Sequence, residues 1–383
     1  MNDIAEVVRT EEDVARDSLG SRSQLVSAFF DHMNAQGVAW VVMNNYEDLP
    51  QIIPSDIDFS IPPDLFKRLD SFVVDFAGQT GAHIVQKLWH GNMKCAYILA
   101  TGPEGAREFV QLDFFTAFST KGCPALIPHE ELVAGRQVLR NFFVPRPEVE
   151  LIFTAMRRLF KDDWSERHCS RIAELCGRIT ATDWLPAHYG WMRTTLEAAA
   201  RGEVDIVATR RAQDWAQLRA TASGNLSLPE RIANLSLQIR RIAVRLRDET
   251  GQLVVLAAPR ESIGTAALET LELVFHRRLF LESSTLAALP VKLALLKRRK
   301  GLIIILAGAH HPKGRVLAKW LGRLGLVDQV LCRDGDSAQP DLGIPSTCFA
   351  DDAGAIEAIV RVQAAKTARA IARSGTQTSG GAK

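Results

Sequence analysis

The chain has 383 residues, 47% of them hydrophobic and 23% charged, with a formal net charge of +2. That length leaves room for two or three hydrophobic cores, and the near-neutral balance excludes nucleic-acid binding driven by bulk charge. No stretch reaches the roughly 18 apolar residues of a membrane-spanning helix, the N-terminus lacks the apolar run of a secretory signal, and the six cysteines contain no Cys-x-x-Cys pair, so the sequence predicts a cytoplasmic protein with reduced thiols.

Residues 1–22 read as a charged N-terminal tail. A helix follows near Ser23 to Gln36, because Leu25, Val26, Phe29, Phe30 and Met33 recur at intervals of three and four and Gly37 stops the run. Val38 to Met43 is an apolar strand that ends at Asn44-Asn45. A loop with Pro50 and Pro54 leads to Ser55-Asp56-Ile57-Asp58-Phe59-Ser60-Ile61. In a strand, residues two apart share a face, so Asp56 and Asp58 point one way while Ile57 and Phe59 point into a core. Two like charges so close raise each other's pKa unless a cation lies between them. Mg²⁺ suits such a pair, since it takes one or two carboxylates together with substrate phosphates.

Pro62-Pro63 opens a helix from Asp64 to Gly78. His83 to Trp89 and Met93 to Leu99 are two strands joined at His90-Gly91-Asn92. Phe109 to Phe115 is another, and Asp113 is its only charge. An ionised Asp between Leu112 and Phe114 has to be paired, hydrogen-bonded or metal-bound. From Pro147 the period turns helical, with helices expected over Glu148–Lys161, His168–Ile179, Ala187–Ala200, Ala212–Ala220 and Pro229–Arg247. Beyond Gln252, buried-type strands at Leu253–Ala257, Gly301–Gly308 and Val327–Cys332 alternate with helices at Gly264–Phe275, Arg315–Leu324 and Ala353–Arg373. That alternation predicts a parallel, doubly wound sheet. Residues 374–383 read as a flexible tail.

The N-terminal layout resembles the nucleotidyltransferase superfamily, and within it a branch found in bacterial polysaccharide-type gene clusters. The resemblance rests on Asn44-Asn45-Tyr46-Glu47-Asp48-Leu49-Pro50, on Ser55-Asp56-Ile57-Asp58, and on Val110-Gln111-Leu112-Asp113-Phe114-Phe115 with Gly122 after it. It covers residues 36 to 160 or so. It implies that Asp56 and Asp58 hold Mg²⁺ (or Mn²⁺) on an NTP, and that Asp113 completes a second metal site and helps deprotonate an acceptor hydroxyl. Asn44, Asn45 and Ser55 would contact phosphate oxygens. The superfamily's usual Gly-Gly or Gly-Ser turn is replaced by Asn44-Asn45, residues that tolerate left-handed angles. The residues alone leave other readings open: solvated strand-end carboxylates for Asp56 and Asp58, a salt bridge to Arg140 for Asp113, and a structural hydroxyl for Ser55.

The resemblance continues through Arg240-Arg241, Arg245 and Thr250-Gly251 into a thymidylate-kinase-like P-loop domain. Where Gly-x-x-x-x-Gly-Lys-Ser/Thr should stand, the chain reads Ala258-Pro259-Arg260-Glu261-Ser262-Ile263-Gly264-Thr265-Ala266. The first glycine and the lysine are missing, and Glu261 sits where phosphates would bind. This implies a degenerate kinase-like domain, catalytically silent, that serves an interface or a protein partner.

The expected architecture is therefore a multi-domain α/β chain. A nucleotidyltransferase-like domain with a mixed sheet spans 23–146, a helical segment 147–250, and a doubly wound P-loop-like domain 251–373. The expected function is transfer of NMP from an NTP to an unidentified hydroxyl or phosphate acceptor. The alternative is a non-catalytic assembly protein that keeps both folds as scaffolds. His310-His311 and the run Lys297–Lys300 read first as solvated residues, with phosphate or polyanion contact as the second reading, and the tryptophans, Trp89 among them, read mostly as packing residues.

Overall fold

The computed structural model describes residues 20–104, 106–120, 123–180, 184–224, 227–248, 250–281, 300–307, 311–334, 344 and 346–379. Of the positions singled out above, residues 1–19, Gly122, Lys297–Arg299, Gly308, His310 and the last four residues lie outside them.

The first layer is a helix, α1 (Ser21–Asn34), followed by β1 (Val41–Met43) and β2 (Ile57–Ser60). The expected single helix after Pro62-Pro63 is two, α2 (Pro63–Lys67) and α3 (Leu69–Thr80). Arg68 breaks them at φ −107 and ψ 17. Then come β3 (His83–Gly91), β4 (Lys94–Thr101) and β5 (Glu108–Phe115). These strands form one mixed five-stranded sheet in the order β1-β2-β5-β4-β3, in which β2 and β5 run parallel and the other pairs antiparallel.

The two faces of this sheet have different fates. Ile57, Phe59, Leu112, Phe114, Tyr97 and Leu99 point into a core with α1 and α3. Phe29 of α1 sits at its centre, with Phe59, Phe72 and Phe76 edge-on at 5.3, 5.9 and 4.9 Å, a favoured aromatic arrangement. The opposite face is shared. At the β1 end, Val41, Met43 and Phe115 pack under the helical segment. At the β3–β4 end, Ile98, Ala100 and Phe109 join the core of the C-terminal layer. Between them lie Asp58 and Asp113, 5% and 4% exposed.

Two hairpins were not anticipated, β6 (Ala117–Thr120) with β7 (Cys123–Pro128), and β8 (Gln137–Leu139) with β9 (Phe142–Val144). The short helix α4 (His129–Val133) lies between them. Strands of three to six residues are too brief to display a period. The helical segment contains α5 (Pro147–Lys161), α6 (Glu166–Arg178), a 3₁₀ turn at Ala187–Met192, α7 (Arg193–Ala200), α8 (Val204–Gly224) and α9 (Leu228–Arg247). The expected helix from Ala187 is 3₁₀ for its first six residues.

The C-terminal layer is a parallel sheet, as expected, but of five strands rather than the three the sequence predicts. Its order is β11 (Arg277–Leu281), β12 (Gly301–Leu306), β10 (Gln252–Leu256), β13 (Gln329–Arg333) and β14 (Ser346–Phe349). Helices α10 (Thr265–Thr270) and α12 (Asp352–Ser379) pack on one face, and α11 (Pro312–Arg323) on the other. The expected tail from residue 374 is helical through Ser379, because α12 runs on. This layer is not set apart from the first sheet. Val85 and Ile98 share a core with Val254 and Ile304, the Thr367 hydroxyl donates to the Val85 carbonyl at 2.7 Å, and Arg107 pairs with Glu357 at 2.9 Å. Among the described residues, no disulfide joins the cysteines, and no helix is long and apolar enough to cross a membrane.

Candidate metal centre

Strand register brings the acidic residues together. Asp58 and Asp113 are direct partners across the parallel β2–β5 pair, and Asp56 lies two residues before Asp58, just ahead of the strand. One carboxylate oxygen from each of Asp56, Asp58 and Asp113 lies within 4.8 Å of the other two. This is the convergence expected from the Asp-x-Asp spacing and the later strand. The fit to a divalent cation rests on the donor chemistry: three hard oxygen donors, two of them buried on a strand floor, at a spacing one small cation can bridge.

The surroundings supply positive charge. Arg157, from α5, donates to Asp58 Oδ2 at 2.5 Å. Lys94 Nζ lies 2.9 Å from Asp113 Oδ2 and 3.9 Å from Asp58 Oδ1. Gln111 Nε2 donates to Asp113 Oδ1 at 2.8 Å. Burial alone would raise the Asp58 carboxyl, but Arg157 and Lys94 outweigh it and hold Asp58 below the usual carboxylate range. Asp56 goes the other way: burial, and then the charges of Asp58 and Asp113, push it up. Burial would lower Lys94, yet Asp113 and Asp58 raise it, so this ammonium stays charged. Among the described residues Asp56 alone of the three carboxylates has no ion pair, which is what an incoming metal ion would relieve.

The Asn44-Asn45 turn adopts left-handed angles at both residues, φ +45 and +51, as the asparagines permit. The Asn44 side chain serves Asp58, while Asn45 is exposed. Asn44 Nδ2 donates to the Met43 carbonyl at 2.6 Å and to Asp58 Oδ2 at 3.2 Å, and its Oδ1 accepts from Arg157 at 3.3 Å. Asn45 Nδ2 lies 3.5 Å from Asn44 Oδ1, and the Ser55 hydroxyl donates to Asp56 Oδ1 at 2.9 Å. Asp113 does not pair with Arg140; that guanidinium donates to the Leu49 carbonyl, and Lys94 takes the role.

Sequence reasoning missed Lys94, Arg157 and Gln111. Lys94 opens a strand that is otherwise apolar, and Arg157 sits in a helix whose neighbours Met156 and Leu159 are buried. A charge in such a place needs a partner, but only the fold says which one. The loop motif Tyr46-Glu47 also has a structural task. The Tyr46 hydroxyl donates to Glu150 of α5. Arg171 of α6 pairs with Glu150 at 2.6 Å and with Glu47 at 2.5 Å. This buried network ties the Asn44-Asn45 turn to the helical segment and so sets its place over Asp58.

In the C-terminal layer, residues 258–264 include a 3₁₀ turn, Arg260–Ser262, ahead of α10. The Gly264 amide donates to Asp352 Oδ1 at 2.8 Å, and a Cβ at Gly264 would meet Asp352 Oδ2 at 2.4 Å. An internal carboxylate thus takes the amide at this helix start. Compared with protein-family models, curated proteins and solved structures, the chain matches none of them.

Proposed function

We propose that the chain is a Mg²⁺-dependent nucleotidyltransferase that moves NMP from an NTP to a hydroxyl or phosphate acceptor. The observation that carries this reading is the convergence of Asp56, Asp58 and Asp113 within 4.8 Å on one strand floor. Asp56 and Asp58 would hold the metal ion on the triphosphate, with Asp113 completing the donor set; bound there, Mg²⁺ supplies Lewis-acid stabilisation of charge on the phosphoryl oxygens. Lys94, Arg157 and the exposed Lys161 place positive charge beside a polyanionic substrate. The acceptor oxygen bonds to the α-phosphorus as the bond to pyrophosphate breaks, and the hydroxyl proton passes to the Asp113 carboxylate. Asn44 and Arg157 orient Asp58 throughout. The C-terminal layer takes no part in the chemistry, because its P-loop position lacks the lysine and carries Asp352 at the Gly264 amide; it would serve as scaffold or partner surface.

One observation favours a second reading. Lys94 and Arg157 already neutralise Asp58 and Asp113, so the same cluster also serves as a structural ion network in a non-catalytic assembly protein. Pyrophosphate release separates the two. With Mg²⁺ or Mn²⁺ and each labelled NTP, the wild type releases pyrophosphate, and Asp58→Asn and Asp113→Asn lose about 10²-fold or more. The second reading stands instead if no NTP yields pyrophosphate and none raises the melting temperature.

A further inference from the structure

Trp89 does not pack as the other expected tryptophans do. Trp164, Trp184, Trp191 and Trp215 lean against the core of the helical segment, but Trp89, on edge strand β3, lines an open cavity of about 520 Å³. That volume is in the range of small-molecule sites. The cavity lies on the sheet face opposite the carboxylates. Cys95 and Tyr97 of β4 form its floor, whereas Ala96 between them is the strand partner of Asp113. The start of α3 and the C-terminal half of α9 form the walls.

The charge of this cavity is one-sided. Its lining holds five cations, Lys67, Arg68, Lys87, Arg240 and Arg247, against two carboxylates, Asp70 and Asp248. Both carboxylates are taken: Asp70 by Lys87 at 2.6 Å and Asp248 by Arg247 at 2.9 Å. Lys67 pairs outside the lining, with Asp64 at 2.8 Å. Among the described residues, Arg68 and Arg240 have no carboxylate partner. The Arg68 guanidinium donates to the neutral Gln36 side chain at 3.0 Å. The Arg240 guanidinium sits over the Trp89 ring, 5.6 Å from its centroid. Two guanidinium forks without a carboxylate suit phosphate oxygens, and a half-buried indole beside them offers a flat wall for a ring.

We propose that this cavity is a second ligand site, separate from the metal centre, for a nucleoside diphosphate or similar phosphorylated aromatic ring. The phosphates lie against Arg68 and Arg240 and the ring stacks on Trp89. Calorimetric titration of the full chain in EDTA with ADP, GDP, UDP and CDP tests it, since chelation keeps metal-dependent binding at the carboxylates out of the measurement. At least one of the four binds with a dissociation constant below about 1 mM. Arg68→Ala, Arg240→Ala and Trp89→Ala each weaken it about tenfold or more, with melting temperatures showing each variant folded. Asp58→Asn leaves it unchanged, and inorganic phosphate binds more weakly. The proposal is overturned if none of the four binds, if the Arg and Trp variants bind like wild type, or if Asp58→Asn abolishes binding. Phosphate binding as tightly as the nucleotides overturns the stacking role of Trp89.

Discussion

Replacing Asp56 by Asn should stabilise the metal-free protein. The carboxylates of Asp58 and Asp113 each lie within 4.8 Å of Asp56, and at an effective dielectric of about 20 each such pair repels by about 3 kcal/mol. Lys94 and Arg157 pair with those two carboxylates and Arg157 also attracts Asp56, which cancels most of that repulsion and leaves a net gain of about 1 kcal/mol for the variant. Asn keeps an Oδ1 acceptor for the Ser55 hydroxyl, so the change is close to a pure removal of charge. At about 2–4 °C per kcal/mol for a domain-sized unit, differential scanning fluorimetry in EDTA should place Asp56→Asn a few degrees above wild type. The sign carries over to pH. The folded Asp56 carboxyl titrates above its ordinary 3.8, so just above that pH the folded state holds the extra proton. Wild type therefore loses stability relative to the variant as pH rises through that window. Mg²⁺ should reverse the order, raising wild type more than Asp56→Asn. A variant less stable than wild type in EDTA, or one stabilised equally by Mg²⁺, refutes the claim that Asp56 is held in repulsion for a cation.

Other residues give independent checks. Lys300 is 7% exposed, and burial pulls it from 10.5 to about 8 against the opposing charge of Asp113; between those values the unfolded chain holds the extra proton, so stability rises with pH. Chemical denaturation of Lys300→Met should show a gain on the order of 3 kcal/mol at pH 7 that shrinks toward pH 10. Glu150, fully buried, holds Arg171 and Tyr46 together; Glu150→Ala should cost about 3 kcal/mol in urea unfolding. Gly314→Ala puts a Cβ 1.7 Å from the Leu306 carbonyl oxygen, so α11 must move off β12, and a loss of about 2–3 kcal/mol is expected in the same assay.

What the sequence discloses follows from how local each feature is. The alternation through Phe109–Phe115 sends Val110, Leu112 and Phe114 to one core and Asp113 to the other face, and a period of two is enough to read that. The pair Asn44-Asn45 needs only its own backbone preference to foretell positive φ. Lys94 and Arg157 are different. Their meaning arises when β4 and α5 are laid against β2, and no spacing along the chain encodes that. Tyr46 and Glu47 belong to the loop motif that carries the resemblance, yet their partners Glu150 and Arg171 lie more than 100 residues further on. The edge strands β11 and β14 went unseen because five and four residues, flanking a buried sheet centre, carry little hydrophobic signal. Trp89 looked like core because an indole usually is; only the fold shows that its β3 neighbours leave it facing a cavity.

The most direct test of the central claim is diffraction from a crystal grown with Mn²⁺ and a non-hydrolysable NTP. The account predicts anomalous density at roughly 2.1–2.3 Å from carboxylate oxygens of Asp56, Asp58 and Asp113, with the triphosphate beside it. Absence of that density, with Lys94 still bridging Asp58 and Asp113, would contradict it and leave the three carboxylates as a structural ion network.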